Sequence, residues 1–100
     1  MEIEKVIGAS GEILFALTGR MDTTTAPKLE AEALTGCIDG AKKVIVDMTN
    51  LEYISSAGLR VLLAMHKKVS ASGIMVITNA NEMITEVFDV TGFADILNIE

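Results

Sequence analysis

Three short runs dominated by apolar residues divide this sequence: Ile13-Leu14-Phe15-Ala16-Leu17, Val44-Ile45-Val46-Asp47-Met48 and Ile74-Met75-Val76-Ile77. Successive side chains of a strand point to opposite faces, so an unbroken apolar run suits a strand covered on both. Between the runs lie stretches long enough for a helix. Strands joined by helix-length crossovers run parallel, with right-handed connections and helices packed on the sheet. The expected class is therefore α/β, with a mixed, mostly parallel sheet of about four to five strands.

The segments between the runs fill in this scheme. Glu2 to Ile7 half alternates between charged and apolar residues, as an edge strand does, and the turn-forming Gly8-Ala9-Ser10-Gly11 would join it to the first run as a hairpin. Thr23, Thr24 and Thr25 offer N-caps, with Pro27 close behind for a first helical turn. Leu29, Ala33, Leu34, Cys37 and Ile38 then trace an apolar stripe on a helix that frays at Gly36 and Gly40. After the second run, Thr49 to Ser56 reads as a loop, followed by a helix with Leu59, Leu62, Leu63 and Val69 on one face and a break at Gly73. Asn79 and Glu82 match a capping box for a helix of Met83, Ile84, Val87 and Phe88, closed by Gly92. Ile96 to Ile99 makes at most a short last strand. No repeat or linker interrupts the sequence, so residues 1–100 are expected to form a single domain.

Composition narrows the function. The net charge is −6, and nucleic-acid binding depends on neutralising phosphates with Lys and Arg, so no nucleic-acid partner is expected. Cys37 is the sole cysteine, which excludes an intrachain disulfide and a CxxC metal or redox motif and suits a reducing cytoplasm. No apolar run approaches the ~20 residues of a bilayer span, so direct membrane insertion is not expected. A phosphate-cradling glycine loop is missing, and Ile54-Ser55-Ser56-Ala57-Gly58 lacks the first glycine of a hydrolase elbow. No catalytic residue, metal ligand or cofactor is assigned. His66 beside Lys67 and Lys68 reads as part of a solvated face, and Met65, Met75 and Met83 as core filling.

The informative stretch runs from Asp47 to Lys68. Ser55 and Ser56 stand where a loop enters a helix beyond a strand's carboxyl end, the place where ligands of such sheets gather. Gly58 follows inside the first turn, where glycine costs about 1 kcal/mol relative to alanine. Close approach by another backbone, from a partner or from within the chain, would account for it.

Asp47, Thr49, Leu51, Tyr53-Ile54, Ser55-Ser56, Ala57 and Gly58-Leu59 together resemble the signature of the STAS domain family. In that signature an Asp, a Ser or Thr two residues on, an apolar-aromatic step, a Ser pair or Ser-Ala and Gly-Leu follow in order. Gly19-Arg20-Met21-Asp22, with Ala26 and Leu29 beyond, is similar to the family's acidic turn before its first helix. The resemblance implies a STAS-type sheet and the work of an anti-sigma factor antagonist, a binding module and not an enzyme. It implies phosphorylation on the serine two residues before the motif glycine, which is Ser56. Many such antagonists carry Asp just before the acceptor; Ser55 stands there, and is the alternative acceptor. The implied partners are an anti-sigma factor serine kinase, sequestered by the unphosphorylated form and released by the phosphorylated one, and a phosphatase that resets the serine. The partner surface would comprise Asp22, Thr23, Ser55, Ser56, Ala57, Gly58, Leu59 and Arg60, with Asp47 and Thr49 organising the loop. A STAS subunit of a membrane-lipid transporter complex, binding its ATPase through the same helix, is the alternative the resemblance leaves open.

Overall fold

Among the described residues, alternating apolar runs and helical segments produce a five-stranded sheet, its strands side by side in chain order, with three helices. The structure, a computed structural model, describes residues 1–8, 10–36 and 38–100. Cys37, expected on a helical stripe, and Ala9, expected in the hairpin turn, lie outside the described residues. The elements are β1 (Glu2–Ile7), β2 (Glu12–Met21), α1 (Ala26–Ala33), β3 (Lys43–Ile54), α2 (Ser56–Val69), β4 (Ile74–Thr78), α3 (Glu82–Thr91) and β5 (Asn98–Ile99). A 3-10 turn at Phe93–Asp95 precedes β5. β1 pairs antiparallel with β2, and every later pair is parallel.

Because the parallel strands follow one another in order, right-handed crossovers bring all three helices to one face. Leu29, Leu62, Met65, Ile84 and Phe88 from the helices form one buried cluster with Phe15, Leu17, Val46, Met48, Met75 and Ile77 from the strands. The opposite face carries Val6, Leu14, Ile45 and Val76 in register across four strands. Val6 is exposed and Leu14 and Ile45 are half-buried, whereas Val76 is buried. The expected cover on both faces therefore holds at Val76 of β4 and is corrected for β2 and β3, whose second face this strand order leaves without a helix.

Two boundaries also differ from expectation. α1 stops at Ala33, because Gly36, at φ 104°, turns the chain; Ile38 still reaches the core with no exposed surface. β3 continues through Thr49 to Ile54, where a loop was expected. Its register against β2 shifts between Ala16 and Thr18 and again between Gly19 and Arg20, and each shift leaves one extra residue on β3. Gly73 is fixed by packing: a Cβ there would lie 2.0 Å from the Lys42 carbonyl oxygen.

Candidate functional site

The carboxyl ends of β2 and β3 lie side by side, joined by a hydrogen bond of 2.8 Å from the Ser55 backbone N–H to the Met21 carbonyl. This bond places the Asp22 turn next to the start of α2. The two turns enclose a groove of about 420 Å³ lined by Thr23, Ala26, Pro27, Glu30, Ala57, Arg60 and Val61.

Each turn is organised by its own polar residues. The Asp22 carboxylate accepts from the Thr24 N–H at 2.9 Å, the Thr24 hydroxyl at 2.7 Å and the Thr25 N–H at 3.1 Å. These bonds, the Thr24 hydroxyl foremost, lower its pKa to about 2. Thr25 precedes α1 but makes no side-chain cap; its hydroxyl donates to the Arg20 carbonyl at 2.7 Å and accepts from the Asp22 N–H at 2.8 Å. The expected threonine cap thus gives way to an aspartate that gathers the turn.

At α2 the cap is Ser55, extended at φ −99°, whose hydroxyl oxygen accepts from the Gly58 N–H at 3.3 Å. Ser56 is the first helical residue and is exposed, and among the described residues none bonds its hydroxyl. The two serines therefore differ: one is half-buried and occupied in the cap, the other presents a hydroxyl at the positive end of a fourteen-residue helix. Gly58 is buried, and a Cβ on it would meet Ile54 Cγ1 at 2.8 Å and the Met21 side chain at 3.0 Å. Its missing side chain is explained by packing inside the chain, the second of the two sources its place in the first turn left open, although the neighbours are side chains and not backbone. Leu59, 5 % exposed, belongs to the same core and leaves little surface for a partner.

A model of the STAS domain family matches residues 2–100. The chain belongs to the STAS family. It is 34% identical over 90 residues to the candidate anti-sigma factor antagonist BtrV of Bordetella bronchiseptica, an alignment covering 89% of this chain and 78% of that protein. It is 26% identical over 82 residues to an anti-sigma-B factor antagonist of Staphylococcus aureus, covering 81% and 76%. Among solved structures, the unphosphorylated form of the anti-sigma factor antagonist SpoIIAA superposes with a TM-score of 0.77 at 18% identity, over 99% of this chain and 87% of that one. An anti-sigma factor antagonist from Mycobacterium paratuberculosis gives 0.83 at 20% identity, over 98% and 85%.

Within this STAS fold, Asp22, Thr23, Ser55, Ser56, Ala57 and Arg60 converge on one end of the sheet. Asp47 and Thr49 do not join them, since they lie about 20 Å back along β3. The Asp47 carboxylate accepts from the Thr49 hydroxyl at 2.6 Å, the Thr49 N–H at 3.1 Å and Asn79 Nδ2 at 3.1 Å. The Thr49 hydroxyl above all holds its pKa below the usual value. These residues gather the first β3 bulge and tie it to the chain leaving β4, rather than forming a loop. Two features went unread in the sequence. Arg20 stacks its guanidinium 4.3 Å above the Tyr53 ring beside the site, a pair visible only once β3 is extended to register Arg20 with Tyr53. Asn81, not Asn79, caps α3; its Oδ1 accepts from the Ile84 N–H at 2.8 Å and its Nδ2 donates to the Leu51 carbonyl at 3.1 Å. Asn79 instead sits at φ 59°, a left-handed conformation that asparagine tolerates.

Proposed function

We propose that this STAS domain is an anti-sigma factor antagonist, a binding protein and not an enzyme, acting in the cytoplasm. Unphosphorylated, it holds an anti-sigma factor that is also a serine kinase; phosphorylated on Ser56, it releases that kinase until a phosphatase resets it. The observation that carries the reading is the exposed, unoccupied hydroxyl of Ser56 at the first position of α2, beside the groove between the α1 and α2 turns. The names of the relatives point the same way, and SpoIIAA, of the same fold, is known in both unphosphorylated and phosphorylated forms.

A phosphoryl group at this position adds about −1.5 to −2 charges, which the free N–H groups and dipole of a helix start stabilise. The fold tolerates the modification, while a partner seated on Thr23, Ala57 and Arg60 meets new bulk and charge on a chain already at −6. Ser55 is the poorer acceptor, because its oxygen is engaged with Gly58 N–H. The test combines the purified chain, ATP and a candidate anti-sigma kinase encoded beside it. Mass spectrometry is expected to find one phosphate on Ser56, absent in Ser56→Ala and retained in Ser55→Ala. Modification of neither serine would overturn the reading.

A further inference from the structure

α3 carries three parallel rows of side chains, each displaced by one residue from the last. Ile84 and Phe88 face the core and are fully buried. Met83, Val87 and Val90 form the second row at i, i+4 and i+7, a spacing that aligns them along one side of a helix. Met83 was expected in the core, yet it is 51 % exposed, Val90 is 80 % exposed, and Val87 is half-buried between them. With Glu86 and Thr91 they line a shallow groove of about 260 Å³. Glu82, Glu86 and Asp89 make the third row, at the same i, i+4, i+7 spacing, along the outer border of the apolar one.

The acidic row has no internal counterpart. α3 contains no Lys, Arg or His, and the ion pairs among the described residues, Lys5–Glu32 and Lys68–Asp39, involve none of its carboxylates. Asp89 lies in the second half of the helix, where the dipole disfavours negative charge. A second copy seated on this face would oppose two such acidic rows. We propose instead that the outer face of α3 docks a basic amphipathic helix of a partner protein, its apolar stripe against Met83, Val87 and Val90 and its Lys or Arg residues against Glu82, Glu86 and Asp89. This groove shares no lining residue with the one beside Ser56, so occupation of the two is separable.

The probe is a fluorescent Leu/Lys peptide of about 15 residues, with leucines at helical spacing, compared with a scrambled peptide of the same composition. The full chain is expected to bind the patterned peptide, with NMR shift changes centred on Glu82–Thr91. The double substitution Met83→Ser/Val90→Ser, and separately Glu86→Lys, should each weaken binding about tenfold, whereas Val6→Ser, on the uncovered sheet face, should leave it unchanged. The altered side chains are all exposed, and thermal unfolding checks that each variant is folded; the shift map on the unmodified chain stands independently of them. Equal binding of the scrambled peptide, insensitivity to Met83→Ser/Val90→Ser, or shifts centred outside α3 would each overturn the proposal. So would a dimer in sedimentation that this double substitution abolishes, since the occupant would then be a second copy.

Discussion

At the start of α2 the cap residue is Ser55 and the first helical residue is Ser56; at the start of α3 the same two places hold Asn81 and Glu82. Both helices leave the carboxyl end of a parallel strand, and both caps accept a hydrogen bond from the N–H three residues on. The bond at α3 is shorter, 2.8 Å against 3.3 Å, and the other end of the Asn81 amide is anchored to β3. α3 also shows that this fold accepts a negative charge at the first helical position, because Glu82 already stands there. Ser56 is that position in α2 with the charge left out, and adding it makes the two helix starts electrostatically alike.

The largest expected effect tests this equivalence. Ser56→Asp should weaken the proposed anti-sigma factor complex about a hundredfold, since a like charge desolvated in an interface costs several kcal/mol. The same change should shift the unfolding temperature by only about 2 °C, because a helix start tolerates the acid. Isothermal titration beside thermal unfolding separates the two; a large loss of stability would mean that α2, unlike α3, cannot carry charge at its first residue.

Next comes the third helical position, Gly58 in α2 and Ile84 in α3, both buried. The site under Ile84 is filled by its own side chain, whereas the site at Gly58 is filled by Ile54 and Met21. Gly58→Gln should therefore destabilise the domain by about 2 kcal/mol through overpacking, read as a lower denaturation midpoint at unchanged m-value. Wild-type stability with lost partner binding would mean that the glycine serves the interface instead.

The contrast between the helix starts also marks how far the sequence could be read. The strand and helix order was legible because Ile13–Leu17, Val44–Met48 and Ile74–Ile77 carry it locally. Along β3 the buried positions are Val44, Val46, Met48, Leu51 and Ile54, so the alternation changes from every second to every third residue at the bulges. A period of two cannot follow that change, which is why Thr49 to Ile54 resembled a loop. The capping-box spacing to Glu82 pointed to Asn79 alone; Asn81 has the same cap chemistry, and what assigns the two residues is their bonds to Asp47 and Leu51, about thirty residues away, which no local pattern contains. The turns bearing Asp22 and Ser55 were joined in one surface by the resemblance to the STAS signature, and the physical reason they meet is that parallel strands place their carboxyl ends together.

A smaller effect weighs the caps themselves. Ser55→Ala should cost about 0.5–1 kcal/mol and Asn81→Ala about 1–2 kcal/mol, since the latter removes a shorter cap bond and leaves the Leu51 carbonyl without its donor. Equal losses in denaturant unfolding would show that the tie to β3 contributes nothing.

The smallest effect belongs to α1, whose start is organised by neither a serine nor an asparagine cap but by the Asp22 carboxylate. Asp22 titrates at its ordinary 3.8 when unfolded and at about 2 when folded, because its hydrogen bonds from Thr24 and Thr25 favour the ionised form. A depressed folded pKa gives a contribution that is fully present above the unfolded value and is lost as the pH falls from about 4 through about 2. The carboxylate is open to water, so solvent and salt screen the effect and keep it small. Between pH 4 and pH 2 the unfolding temperature of the wild type should fall slightly more steeply than that of Asp22→Asn, the other carboxylates being common to both. Added salt should narrow the difference only in part, because short hydrogen bonds within one turn are screened less than distant charges. Parallel curves would mean that the turn holds its shape without the ionised Asp22, and that the start of α1 depends on the Thr25 hydroxyl and its bond to the Arg20 carbonyl.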